Sequence, residues 1–163
     1  MSGSENEFDQ GDSGALNTEL AEAGRMKPGS LIIMKETFPC KVTAFSTAKP
    51  GKHGSAKAMI TAKDVFTDKQ YDETFGTGDM IPRPIIKKLE YTLVDVETDS
   101  GILSLMDQEG NMKEDCNLPT ESHLKEVSDR IKSMFAEDKT VLVTVQSWGE
   151  EKQQVCAVRE GQA

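Results

Sequence analysis

A chain of 163 residues, 36% of them hydrophobic, can bury the core of one large or two small domains, and its formal net charge of −9 argues against a protein that coats nucleic acid indiscriminately. No apolar run approaches the roughly 20 residues of a membrane helix, and the acidic amino terminus has no signal-peptide pattern. Cys40, Cys116 and Cys156 are odd in number and lack a C-x-x-C spacing, so a soluble cytoplasmic protein without disulfide framework, zinc site or cofactor is expected.

The charge is unevenly spread. Residues 1–26 hold six acids against Arg25, residues 27–86 nine bases against six acids, and residues 87–163 nine bases against sixteen acids, giving −5, +3 and −7. A basic middle in an acidic chain can aim one loop at phosphates while like-charge repulsion disfavours other docking poses.

In chain order, residues 1–26 read as a disordered acidic tail, too poor in large apolar residues to offset the entropy of ordering. Structure is expected to begin at the turn signal Met26-Lys-Pro-Gly-Ser30. Leu31 to Lys35, Pro39 to Phe45, Ala58 to Ala62 and Gln70 to Phe75 are short apolar, β-branched or alternating runs, read as strands, with Tyr71 and Phe75 facing inward. Together they predict a small all-β barrel over residues 27–84. Pro82 and Pro84 stiffen the chain and mark a boundary.

A second domain follows over residues 85–160. Leu89 to Val96, Gly101 to Met106 and Met112 to Asn117 read as strands separated by Gly-containing turns. From Glu121 to Ala136, Leu124, Val127, Ile131, Met134 and Phe135 recur on one helical face, with Thr120 or Ser122 placed to cap it. Val141 to Val145 and Val155 to Val158 complete the set. Three strands, a helix and two strands is the order of an oligonucleotide/oligosaccharide-binding barrel, the OB-fold, with the helix plugging one end. The predicted class is all-β in two small barrels.

The loop Ser46-Thr-Ala-Lys-Pro-Gly-Lys-His-Gly-Ser-Ala-Lys57 stands apart from these elements. No Asp or Glu occurs from Thr37 to Lys63. Lys49-Pro50-Gly51-Lys52 reads as a type II turn, Pro fixing φ at its second position and Gly supplying positive φ at its third, which turns Lys52 to solvent. Gly54 keeps the backbone around Lys52-His53 uncrowded enough for a macromolecule to approach closely.

This loop, followed by a strand and Asp64-Val-Phe-Thr67, resembles the hypusine-containing translation factors, the eukaryotic and archaeal initiation factor five-A family, related to bacterial elongation factor P. Pro39-Cys40-Lys41, Leu103-Ser104-Leu105, and Glu114-Asp115 ahead of Leu118-Pro119 extend the likeness from about Lys27 to Val158. The resemblance implies an SH3-like amino-terminal barrel and a carboxy-terminal OB-fold. It implies that Lys52 is the lysine extended by deoxyhypusine synthase and then hydroxylated by deoxyhypusine hydroxylase. It further implies a non-enzymatic factor that binds the ribosome near the exit site and sets hypusine against the acceptor end of peptidyl-tRNA, aiding peptide-bond formation at proline runs and assisting termination. Lys49, Gly51, His53, Gly54 and Lys57 are then the surrounding residues for RNA contact or recognition by the modifying enzymes, although His53 could equally satisfy the hairpin by hydrogen bonding. Pro50 and Ser55 depart from the animal and fungal pattern, which usually has a small polar residue and a histidine there.

Other chemistries fit less well. A phosphate-binding P-loop needs Gly at position 46 and Ser or Thr after the lysine, where Ser46 and His53 stand. A Schiff-base lysine would be desolvated, not held on a hydrophilic tip. A general single-strand RNA binder built on the OB-fold is the remaining alternative. It would want a basic groove with stacking aromatics, yet the second domain is acidic, and Tyr91, Phe135 and Trp148 read as core or partial core.

Overall fold

In Lys57–Asp64, alternate residues Ala58, Ile60 and Ala62 are buried while Lys57 and Met59 are exposed, the period of two that puts one face of a strand on a core. The computed structural model describes residues 17–49, 54 and 56–162, and these fall into two compact units, one through Ile85 and the other from Ile86.

The first unit contains β1 (Thr18–Glu22), β2 (Leu31–Met34), β3 (Phe38–Ala48), β4 (Lys57–Asp64), β5 (Gln70–Gly76) and β6 (Met80–Pro84). Strands β2 to β5 form an antiparallel sheet in sequence order, and β1 pairs with β6 in a second, two-stranded sheet. Both pack on one core that includes Ile32, Met34, Cys40, Val42, Ile60 and Ile81, with Phe38, Phe45, Tyr71 and Phe75 at its margins. This is the SH3-like, half-barrel arrangement. The β2–β3 connection is tight: Lys35 and Glu36 both have positive φ (54° and 61°), and the Thr37 amide donates to the Met34 carbonyl at 3.1 Å. Positive φ at both central residues of the Met34–Thr37 turn matches the twist of the flanking strands, and here it is adopted without glycine. A register shift between Val42 and Ala44 bends β3.

Two expectations need correction. The tail read as disordered through residue 26 already contains β1, followed by a 3-10 turn at Ala23–Arg25 whose Ala23 is fully buried. The proline segment Met80–Pro84, expected as a stiff boundary whose prolines would break a ladder, is a strand paired with β1. One physical reason covers both. In the β1–β6 ladder Pro82 faces Leu20 and Pro84 faces Thr18, so the prolines occupy alternate positions and Ile81 and Arg83 direct their N–H groups at β1. Pro lacks that donor and blocks the other edge of β6. β6 can accept one partner, and the segment before Met26 supplies it.

The second unit contains β7 (Lys87–Val96), β8 (Ile102–Met106), β9 (Met112–Asn117), helix α1 (Lys125–Ala136), β10 (Val141–Trp148) and β11 (Lys152–Glu160). Its sheet runs β9-β8-β7-β10-β11, and the Gln153 side chain of β11 donates to the Asp115 carbonyl of β9 at 3.0 Å. Leu103, Leu105, Ile131, Val141, Val143 and Val155 are all but sealed from solvent. α1 lays Ile131 and Met134 into this core, with Val127 and Phe135 alongside, as its periodicity predicts. Its start differs from the expectation: residues Ser122–Leu124 form a 3-10 turn, α1 begins at Lys125, and neither the Glu121 cap of the turn nor the Leu124 cap of the helix makes a side-chain capping bond. Its stop is a Schellman closure, the Lys139 amide donating to the Met134 carbonyl at 3.1 Å and that of Asp138 (φ 63°) to Phe135 at 3.0 Å. Among the described residues the chain is thus mostly β with a single α-helix.

Candidate functional site

The basic loop is mounted on the end of a three-strand ladder. Ala48 of β3 pairs with Lys57 of β4, which pairs with Gly76 of β5, so Ser46 to Ala48, expected to be loop, are strand. Lys49 follows β3 and is exposed, Gly54 is half-buried, and Lys57 opens β4 with its side chain in solvent. Gly51, Lys52 and His53, with the type II turn proposed at Lys49 to Lys52, lie outside the described residues.

The loop root is braced by segments that carry no charge signal. The Thr77 amide donates to the Ala56 carbonyl at 3.1 Å, and the Gly24 amide donates to the Thr77 carbonyl at 2.8 Å. The turn behind them is closed by Asp79, whose carboxylate accepts from the Gly76 amide at 2.8 Å and whose carbonyl accepts from the Ala23 amide at 2.9 Å. A Cβ at Gly24 would sit 2.9 Å from the Thr77 carbonyl oxygen, closer than real Cβ contacts allow. Gly24 therefore permits the close approach that ties the amino-terminal segment to the loop. Sequence reading missed Gly24 and Thr77 because their roles exist only once β1 has docked.

Positive charge continues down the outward face of the ladder. Lys57, Met59, Thr61 and Lys63 share that face of β4, and Lys63 stands directly across from Lys41 of β3. Like charges directly opposite each other in a sheet are destabilising, and no ion pair relieves either lysine among the described residues. Asp72 of β5 is the acid beside this face. Its Oδ1 accepts a bond from the Thr61 hydroxyl at 2.5 Å. An unrelieved lysine pair at the far end of the face that Lys57 opens is an arrangement that a polyanion lying along the ladder would stabilise.

The opposite end of β4 is built for permanence. Asp64 is buried there, its Oδ1 accepting from the Phe66 and Thr67 amides at 2.8 and 3.1 Å. Burial, with Asp64 adding to it, pushes the Cys40 thiol up to about 12, so this cysteine stays a protonated core residue at neutral pH. Among the described residues no cluster of His, Cys, Asp and Glu could hold a metal, and no helix is long and apolar enough to cross a membrane. In the second unit Tyr91 and Phe135 pack against the core, and Trp148 is half-buried on β10.

Known proteins share this two-part organisation. Residues 17–78 match the family described as "Translation initiation factor 5A-like, N-terminal", and residues 85–159 that described as "Eukaryotic elongation factor 5A hypusine, DNA-binding OB fold". The chain is 37% identical over 161 residues to eukaryotic translation initiation factor 5A-3 of Arabidopsis thaliana, covering 98% of each chain. The chain belongs to the translation initiation factor 5A family.

Within that family it is also 38% identical over 163 residues to factor 5A-1 of Medicago sativa, covering 98% of this chain and 97% of that one. A solved translation initiation factor eif-5a family protein from Naegleria fowleri superposes with a TM-score of 0.78 at 33% identity, over 88% of this chain and 99% of its own. The factor 5A of Methanococcus jannaschii shares the fold at a TM-score of 0.65 and 20% identity, over 88% and 96% of the two chains. As a member of the 5A family the protein is a translation factor.

Proposed function

We propose that this protein binds the ribosome near the exit site and uses Lys52, extended to hypusine, to steady the acceptor end of peptidyl-tRNA. Peptide-bond formation at stalling sequences such as proline runs is thereby promoted and termination assisted. Extension by a four-carbon amine roughly doubles the reach of the lysine and adds a second basic nitrogen and a hydroxyl while keeping positive charge at neutral pH. Such a thin cationic arm can enter an RNA-lined cavity too narrow for a backbone loop. Its contacts to phosphates and sugars act by position, lowering the entropy lost on reaching a reactive geometry, while the ribosome performs the chemistry. The factor is not itself an enzyme in this reading, and its modification is the work of deoxyhypusine synthase and deoxyhypusine hydroxylase in the cytoplasm.

The observation that carries the reading is the mount of the loop. Its root is fixed by the Ala48–Lys57–Gly76 pairs and the Gly24–Thr77–Ala56 chain of hydrogen bonds, and the ladder that carries it presents Lys57 at the loop and the opposed pair Lys41 and Lys63 at its far end. A rigid root delivers the cation it carries to a defined place. Lys49, Gly51, His53, Gly54 and Lys57 supply the surrounding contacts to RNA or to the modifying enzymes.

Peptide mass spectrometry on protein from its native cell tests the modification: the Lys52 peptide is expected to carry an added hydroxylated aminobutyl group, and plain lysine there would refute the reading. Lys52→Arg keeps the charge but cannot be extended. It is expected to fold normally and lose most stimulation of synthesis through proline runs in a reconstituted translation assay, and undiminished stimulation would count equally against the proposal.

A further inference from the structure

We propose that the outward face of β7, β8 and β9 is a docking surface for a basic, apolar-bearing segment of a partner protein, and not for nucleic acid. This rests on the second unit alone and stands whether or not Lys52 is modified. Met112 is 50% exposed, Val94 45% and Ile102 43%. The register sets Met112, Met106, Thr92 and Leu142 side by side in one row across four strands. Ile102 and Ser104 share that face of β8 with Met106, since the intervening Leu103 and Leu105 are fully buried. Val94 is the extra residue where the register slips between Leu93 and Asp95. Exposed apolar side chains grouped in this way mark an interaction surface more than scattered ones do, and methionine adapts to the shape of whatever covers it.

Charge selects the occupant. Asp95 lies opposite Ser104, and Glu114 accepts a bond from the Ser104 hydroxyl at 3.3 Å. Glu97 and Asp99 follow at the end of β7. None of these four acids is in an ion pair among the described residues, while Arg159, at the Leu142 end of the row, is engaged with Glu90 at 2.8 Å and Lys113, next to Met112, with Asp115 at 2.9 Å. A nucleic-acid strand would meet uncompensated carboxylates on this face, and Tyr91 of β7 packs against the core instead of offering a stacking platform. A second copy would bring two acidic rims together. A segment bearing Lys or Arg among apolar side chains covers the methionines and neutralises the rim together.

The test is amide NMR on the full chain, titrated separately with a synthetic peptide alternating Leu and Lys, a Leu–Glu peptide of equal length and an oligouridylate. The Leu–Lys peptide is expected to shift the amides of Val94, Ile102, Ser104, Met106 and Met112 and to bind more weakly as salt rises, while the other two leave them unmoved. Met106→Ser with Met112→Ser should raise the peptide Kd at least tenfold. Asp95→Lys with Glu114→Lys, which spares the apolar row, should do the same and keeps the test valid if the serine variant folds poorly. Absence of shifts on this face, shifts produced there by the oligouridylate, or concentration-dependent self-association through it would each overturn the proposal.

Discussion

The two units solve the same problem, covering a small β core, with different means. The first has a core of modest residues, Cys40, Val42, Ala58 and Ala62 beside Ile32 and Ile60, and closes it with the borrowed strand β1 and the turn at Ala23–Arg25. The second closes its larger aliphatic core with α1. The charges follow the same division, +3 over residues 27–86 and −7 over residues 87–163. The comparison teaches that the unit carrying the basic loop depends on a stiff loop root more than on a large core. In the first unit the segment that completes the barrel also braces the loop, whereas in the second the closing element is committed to burial and leaves the sheet face free for contact.

Removing α1's anchor breaks the comparison most sharply. Ile131 is completely buried, and Ile131→Ala is expected to cost about 2–5 kcal/mol by lost transfer energy and cavity formation. Denaturant unfolding read by hydrogen exchange should show this loss in β7 to β11 with protection in β2 to β5 unchanged, and an equal loss in both units would contradict independent cores. Gly24→Ala probes the brace instead. Its Cβ would press on the Thr77 carbonyl at 2.9 Å, and overpacking of this kind costs about 1–3 kcal/mol. Faster amide exchange at position 24 and at Thr77 is expected, with the second unit unaffected, and unchanged exchange would separate the loop root from β1.

The smallest effect concerns an exposed pair. The Arg159 guanidinium, donating to Glu90 at 2.8 and 2.9 Å, holds the Glu90 carboxyl below its usual range. A carboxyl depressed by folding contributes stability above its unfolded pKa and loses it as pH falls through the folded value. Surface pairs of this kind contribute little. Arg159→Ala should therefore move the Glu90 titration, followed by carboxyl NMR, up toward an ordinary glutamate, with a slight loss of stability near neutral pH that fades under acid. An unmoved midpoint would show that the contact does not hold in solution.

Much of the fold was readable in local patterns. The alternation of Ala58, Ile60 and Ala62, and the spacing of Leu124, Val127, Ile131 and Met134, each state which face a residue must bury, because side-chain period follows directly from backbone geometry. The helix start was less readable: Thr120 and Ser122 are good capping types, yet neither caps α1, since the 3-10 turn lets Leu124 reach the core first. At the site, composition marked the loop, while Gly24 and Thr77 could not be recognised from any local motif.

By itself, then, the sequence determined the class of each long element, the inward faces and the acid-free stretch from Thr37 to Lys63, all of them properties of residues near one another in the chain. Tertiary structure decided that Thr18–Glu22 is a strand, that Lys41 faces Lys63, and that Met106 and Met112 lie in one exposed row. Those facts depend on register between strands separated along the chain. Register is set by the whole core, and a shift of one residue would turn every side chain on the strand to the other face.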